Sequence, residues 1–309
     1  MRVRLIVNAA ATGVRGPVLD AVIAALRDAA ELEVVATEHA GHATELAAAA
    51  TEDAVVGLGG DGTYNEIANG LPQGALMGVL PAGASSVFAR HLGYVNDPVA
   101  AARQLADALR AGSSRSIGLG VADGRVFTFA AGLGLDAEAT AIVDRTRHER
   151  PGNERPGDLQ VLATALRVLR AEGFALHERM TLTAAGGVSH RCSYLAVANQ
   201  HPYTFLGPIP VRATPKADFE HGLDAVFTRE LRGRQLWRLP VYALIWPRHA
   251  RHGSRHVGYL HDLHAFTVTC DEPTAFQIDG EYVGHVERVE FAYRPDAIRV
   301  VVPQRDTGS

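Results

Sequence analysis

The chain has 309 residues, of which 47% are hydrophobic and 21% charged, with a formal net charge of −4. That length carries two ordinary domains with substantial cores, and the composition is globular rather than disordered. The slightly acidic balance excludes a dedicated nucleic-acid binder, while two cysteines without CxxC spacing, Cys192 and Cys270, exclude a disulfide scaffold and point to a reducing cytoplasm.

The opening run, MRVRLIVNAA, is too short for a secretory leader and reads as a first strand, Val3–Val7. No segment approaches the roughly 20 apolar residues that span a bilayer. Pro17 sits where a helix begins, and Val18–Ala30 has helical apolar spacing. Leu32–Thr37 reads as a strand and Ala43–Ala50 as a helix. Val55, Val56 and Leu58 make a short buried strand, followed by the turn Gly59-Gly60-Asp61-Gly62. Thr63 and Glu66 have capping-box spacing, which predicts a helix from Thr63, stopped by Gly70 and Pro72. Leu76–Leu80 is a further strand, leading through Gly83 to helices over Ser86–Leu92 and Pro98–Ala111. Such alternation predicts a parallel sheet with helices on both faces, whose ligands bind beyond the carboxyl ends of the strands.

After about residue 113 the pattern changes. Strand-like segments at Arg115–Val121, Arg125–Ala131, Met180–Ala184, His190–Asn199, Leu223–Arg229, Ala265–Cys270, Thr274–Ile278, Arg288–Tyr293 and Ile298–Val302 are interrupted by one helix, Asp158–Glu172. This predicts a mainly antiparallel second domain.

The glycine turn carries the chemistry. A helix start behind glycines offers free amides and a favourable dipole to a phosphate. A carboxylate there is repulsive unless it serves a cation or a proton, so Asp61 is read as a Mg²⁺ ligand or a base, or else as a plain turn residue. Asn8, Thr37, Asp61 and Gly83 all lie at or just past strand ends and can converge on one nucleotide.

Gly59-Gly60-Asp61-Gly62-Thr63, followed by Asn65 and Glu66, resembles the catalytic core of the diacylglycerol kinase-like lipid kinases, whose relatives include sphingosine kinases and NAD kinases. Val7-Asn8-Ala9-Ala10-Ala11-Thr12 resembles that family's first strand and loop. Thr37-Glu38-His39-Ala40-Gly41-His42-Ala43 resembles its second-strand Thr and the next helix start. Ala131-Gly132-Leu133-Gly134-Leu135-Asp136-Ala137, Gly222-Leu223-Asp224 and Gln277-Ile278-Asp279-Gly280-Glu281 resemble later signatures, in family order.

The resemblance implies an α/β nucleotide-binding domain over residues 1–120, of NAD kinase and diacylglycerol kinase type. A β-sandwich lipid-substrate domain is implied over 121–309, its tail returning to the first. It implies ATP and Mg²⁺ as cofactors, and Asp61, Asp279 and Glu281 as catalytic residues. Asn8, Thr37, Gly59, Gly60, Gly62, Thr63, Glu66, Gly83 and Ser85 are implied for the nucleotide, and Asp61, Glu220 and Asp224 for metal. It implies a cytoplasmic enzyme that visits the inner membrane surface for a lipid hydroxyl, with diacylglycerol first; the alternatives are a kinase of a water-soluble alcohol such as NAD, or a catalytically weak lipid- or nucleotide-binding homologue. A homodimer is compatible with it.

Two departures stand out. Ser86 and Val87 occupy positions where an amide and an acid are usual, and His221 stands where the family has a carboxylate that suits hard Mg²⁺. Other patterns carry less. Gly83-Ala84-Ser85-Ser86-Val87 lacks the second glycine of a nucleophile elbow. His249, His252, His256, His261 and His264 cluster without a completed metal pattern. Tyr242–Trp246 reads as core, with a membrane-interface role as the other reading.

Overall fold

The apolar run at the N-terminus forms the middle of a parallel sheet. In this computed structural model, β1 (Arg2–Val7) pairs in parallel with β2 (Glu31–Ala36) on one side and with β3 (Ala54–Gly59) on the other. β3 in turn pairs with β4 (Leu76–Pro81). The structure describes residues 1–9, 11, 16–83, 86–148, 158–206, 209–236 and 255–304. Two units are present, Met1–Leu119 with Pro295–Ser309, and Gly120–Arg294.

In the first unit, β3 is buried along its whole length, as expected for a parallel strand covered on both faces, whereas β2 at the edge is largely exposed. Helices α1 (Pro17–Arg27), α2 (His42–Ala48), α3 (Asp61–Gly70), α4 (Val87–His91) and α5 (Pro98–Arg110) connect the strands. Proline at the first position opens α1 and α5, and the Asp97 carboxylate caps α5 by accepting the Ala100 amide at 2.7 Å. Val3, Leu5, Val22, Leu26, Val56, Leu58, Met77 and Leu105 fill the core. The sheet order β2-β1-β3-β4 sends the connections from β1 in opposite directions. That creates a switch point at the carboxyl ends of β1 and β3.

The sequence predicts a start at Thr63 for the third helix. It starts instead at Asp61, with Gly60 as its extended N-cap residue. Thr63 therefore lies inside the first turn, and Glu66 points its carboxylate at another helix.

The chain crosses to the second unit within β5 (Ser114–Ala122), followed by β6 (Arg125–Phe127) and β7 (Ala130–Leu133). Helices α6 (Leu135–His148) and α7 (Asp158–Ala171) come next. Then follow β8 (Ala175–Leu176), β9 (Met180–Ala184), β10 (Ser189–Cys192), β11 (Tyr194–Ala198), β12 (Thr204–Leu206), β13 (Ile209–Val211), β14 (Leu223–Thr228) and β15 (Leu231–Arg232). The last strands are β16 (Val257–Leu263), β17 (Ala265–Ile278) and β18 (Glu281–Val301).

The pairings inside this unit are antiparallel: β16 to β14, β14 to β11, β11 to β7, β7 to β17, and β17 to β18 and β9. Phe127, Leu195, Phe227, Phe266, Phe276 and Phe291 form its core, with Phe266 stacked on Phe291 at 4.8 Å. β18 leaves this unit at its far end, and Arg299 and Val300 pair in parallel with Leu76 and Met77 of β4 in the first unit's sheet.

Candidate active site

The four strand ends of the first unit carry the predicted nucleotide residues, and the structure cross-links them. Asn8 follows β1; its amide donates to the Leu58 carbonyl of β3 at 3.0 Å, and its Nδ2 donates to Thr63 Oγ1 at 2.9 Å. Thr37 follows β2; its Oγ1 accepts the Ala9 amide at 3.4 Å. The Ala82 amide, past β4, donates to the Gly59 carbonyl at 2.7 Å. Buried Tyr64 ties β3 to β4 by donating its hydroxyl to the carbonyls of Gly59 and Leu80. Burial, and secondarily the charge of Asp61, pushes that phenol well above its ordinary range.

Three glycines have separate reasons. A Cβ at Gly59 would stand 2.4 Å from Thr63 Oγ1, so the close packing of strand end against helix start requires glycine. A Cβ at Gly83 would stand 3.2 Å from the Gly60 Cα, so these two backbones approach directly. A Cβ at Gly60 would meet nothing closer than 3.8 Å. Gly60 therefore leaves open space at the start of α3, where the first-turn amides have no intrahelical acceptor and the N-cap residue carries no side chain. Gly62 lies in that first turn. Ser85 lies outside the described residues.

Two acids have duties that sequence reasoning missed. Asp61 is buried, and its carboxylate accepts the amides of Val87 at 3.0 Å and Phe88 at 2.9 Å, which starts α4. Glu66 accepts the amides of Gly41 at 2.9 Å and Ala43 at 3.1 Å, which starts α2. Each carboxylate fixes the element that follows another strand of the same sheet. Glu66 is thus a support for the start of α2 rather than a contact within its own helix's cap. Beside it, His39, His42 and Glu45 bring potential metal-ligand atoms within 4.8 Å of one another. However, His42 Nδ1 accepts the Glu38 amide, which keeps the ring proton on Nε2 and removes that lone pair as a ligand.

In the second unit, Asp279 and Gly280 form the two-residue turn between β17 and β18, both with positive φ (49° and 74°), as a type I′ hairpin requires. The Asp279 carboxylate is buried. It accepts the Thr128 amide at 2.7 Å, the Thr128 hydroxyl at 2.8 Å and the amides of Phe129 and Ala130 at 3.0 and 3.1 Å. Burial raises its pKa, and these hydrogen bonds pull the other way. Glu281 opens β18 and pairs with Arg125 at 3.4 Å.

Gln277 links this turn to a third acid. Its Oε1 accepts the Gly280 amide at 2.8 Å and its Nε2 donates to Asp136 at 3.2 Å. Tyr203 donates to the same Asp136 oxygen at 3.1 Å, and desolvation pushes the Asp136 carboxyl up to about 6. The signal was present in Gly132-Leu133-Gly134-Leu135-Asp136, because a Cβ at Gly132 would collide with the Asp136 carboxylate.

Glu220 and Asp224, the residues implied for metal, sit in different surroundings. Asp224 is fully buried, and its carboxylate accepts from Tyr259, from His261 Nδ1 at 2.7 Å and from the Asp262 amide. Glu220 is exposed, and its amide donates to Asp218. His249, His252 and Tyr242–Trp246 lie outside the described residues. His256 faces Gln235.

Comparison with known proteins follows the same lines. Residues 2–120 match the family model of the diacylglycerol kinase catalytic domain. The chain is 38% identical over 104 residues to the diacylglycerol kinase of Bacillus subtilis (strain 168), covering 33% of each chain. It is 38% identical over 128 residues to a probable lipid kinase, YegS-like, of Pseudomonas aeruginosa (strain UCBPP-PA14), covering 39% of this chain and 41% of that protein. The matched stretch thus spans only about a third to two-fifths of these curated relatives. In fold, a putative diacylglycerol kinase from Bacillus anthracis str. Sterne matches with a TM-score of 0.76 at 20% identity, over 97% of this chain and 95% of that one. An NAD kinase from Archaeoglobus fulgidus in complex with ATP matches at 0.53 and 13% identity, over 99% and 95%. The resemblance read from the sequence and the predicted fold class are borne out. Among the described residues no helix is long and apolar enough to cross a membrane.

Proposed function

We propose that this chain, whose residues 2–120 carry a diacylglycerol kinase catalytic domain, transfers the γ-phosphoryl group of ATP to a lipid hydroxyl, with diacylglycerol the first acceptor to test. The observation that carries this reading is the start of α3 behind its glycine N-cap, open over Gly60 and flanked by Asn8, Thr37 and Gly83 at three other strand ends. Backbone amides there bind phosphate oxygens. The first unit has no lysine, since Lys216 is the only one in the chain, so a Walker-type lysine plays no part.

Asp61, at the start of α3, offers a carboxylate, the hard oxygen ligand that suits Mg²⁺. When bound with the nucleotide, Mg²⁺ offsets phosphate charge. We assign the base to Asp279 on the family resemblance: burial raises its proton affinity, against the pull of the four donors that hold the carboxylate in place. Glu281 follows on the same hairpin. The acceptor lies at a membrane surface, and the protein meets it peripherally.

The test is transfer of labelled phosphate from ATP by the purified full chain. Vesicles containing diacylglycerol, a sphingoid base or a prenol are compared with soluble NAD. Transfer to diacylglycerol in vesicles is the expected result; transfer to NAD alone, or none to any acceptor, overturns the reading.

A further inference from the structure

Phe276 and Ile278 enter the core of the second unit, so Gln277 between them faces the other side of β17. The side chain is buried all the same. Its neighbour across the strands is Gly132 of β7. A Cβ at Gly132 would stand 2.4 Å from Asp136 Oδ2 and 2.8 Å from Gln277 Nε2. Two stretches far apart in the sequence therefore meet here, and the glycine of one makes room for the glutamine of the other.

The orientation of the Gln277 amide is forced. Its Oε1 accepts the Gly280 amide at 2.8 Å, while its Nε2 donates to Asp136 Oδ2 at 3.2 Å. Turned over, it would set N–H against N–H and oxygen against a carboxylate. Tyr203 donates to the same Asp136 oxygen at 3.1 Å. The Gly280 amide belongs to the Asp279–Gly280 peptide, which is the central peptide of the two-residue turn. Rotation of that peptide converts a type I′ turn into type II′, which keeps the hairpin closed and re-aims the turn residues. An acceptor on the Gly280 amide holds the I′ form. Beyond the turn, the Tyr282 amide donates to Asp144 at 3.1 Å. Helix α6 thus carries two carboxylates that steady the hairpin, Asp136 through Gln277 on β17 and Asp144 directly on β18.

We propose that Gln277, oriented by Asp136, is a positioning residue for phosphoryl transfer. It fixes the central peptide of the turn, and with it the placement of Asp279 and Glu281. Its effect is exercised through the turn and not on the reacting atoms. This role rests on the assignment of Asp279 as the base and names what keeps that base in place.

Kinetics and hydrogen exchange on the full chain test it together. Gln277→Leu should lower kcat by about ten- to a hundredfold, the scale of a small misplacement of a reacting group, with the Michaelis constant for ATP unchanged. Gln277→Glu should behave alike, because an acid facing Asp136 has no proton to donate to it. Joined to Asp136→Asn, it should recover most of the turnover, since the new amide at position 136 then donates to the new carboxylate at position 277. Exchange of the Gly280 amide, followed by NMR, should be at least about tenfold faster in Gln277→Leu than in wild type or the paired variant, with circular dichroism alike in all. Undiminished kcat in Gln277→Leu, a loss expressed in the ATP Michaelis constant instead, no recovery in the paired variant, or unchanged Gly280 exchange would each overturn the role. Failure of the kinase reading looks different: wild type then transfers phosphate to no acceptor, while Gly280 exchange still separates it from Gln277→Leu.

Discussion

Asp61, the first residue of α3, accepts the Phe88 amide at 2.9 Å, so the acid of the glycine turn also starts the helix that follows β4. A residue so placed has two measurable roles. Asp61→Asn keeps the shape and an acceptor oxygen but removes the charge. It should lower stability by only about 1 kcal/mol, the scale of a helix cap, yet cut phosphoryl transfer by roughly a hundredfold or more. Thermal melts beside turnover separate the two; near-normal turnover would leave Asp61 a purely structural acid.

The glycines should divide by mechanism. Gly59→Ala drives a methyl into Thr63 and should destabilise by about 1–3 kcal/mol, the cost of overpacking. Gly60→Ala meets nothing closer than 3.8 Å, so folding should be unaffected. Its methyl instead points into the space proposed for phosphates, and ATP binding should fall by at least tenfold. Denaturant midpoints and ATP titrations on both variants check this; unchanged ATP affinity in Gly60→Ala would move the phosphate site elsewhere.

Glu66 should behave as a support. Glu66→Ala leaves the Gly41 and Ala43 amides without their acceptor and should cost about 1–2 kcal/mol, whereas Glu66→Gln keeps one acceptor and should cost less. Because α2 follows the Thr37 loop, the Michaelis constant for ATP should rise in the alanine variant more than kcat falls. A kcat loss at constant Michaelis constant would instead make Glu66 part of the chemistry.

Asp136 makes a prediction about pH. Its folded pKa is raised from 3.8 to about 6, so the folded state holds its proton more tightly than the unfolded chain. That contribution is fully present below pH 4 and is lost as pH rises through 6. Asp136→Asn should therefore flatten the fall in melting temperature between pH 4 and pH 6. It should also leave the variant at least as stable as wild type at pH 7, since the neutral amide still accepts from Tyr203. An unchanged pH profile would show that Asp136 does not titrate in that window.

What the sequence determined by itself was whatever local rules fix. Strand–helix alternation placed β1, β2, β3 and β4, because a parallel strand buried on both faces must be an unbroken apolar run, as Ala54–Gly59 is. Strand ends then located Asn8, Thr37, Asp61 and Gly83, because ligands of such sheets bind there. Local rules failed where an acceptor is shared across distance. Thr63 and Glu66 fit a capping box, yet the helix starts at Asp61 and Glu66 serves Gly41, 25 residues away. Helix α6 lay hidden behind the Gly-Leu-Gly motif, and two short strands on either side of Thr269 and Thr274 proved to be one irregular strand, β17. Only the tertiary structure joined Asp279 to Thr128 and Asp224 to His261, pairs separated by 151 and 37 residues. The physical reason is that a buried carboxylate must find donors wherever the fold brings them, and neither periodicity nor spacing along the chain records where that will be.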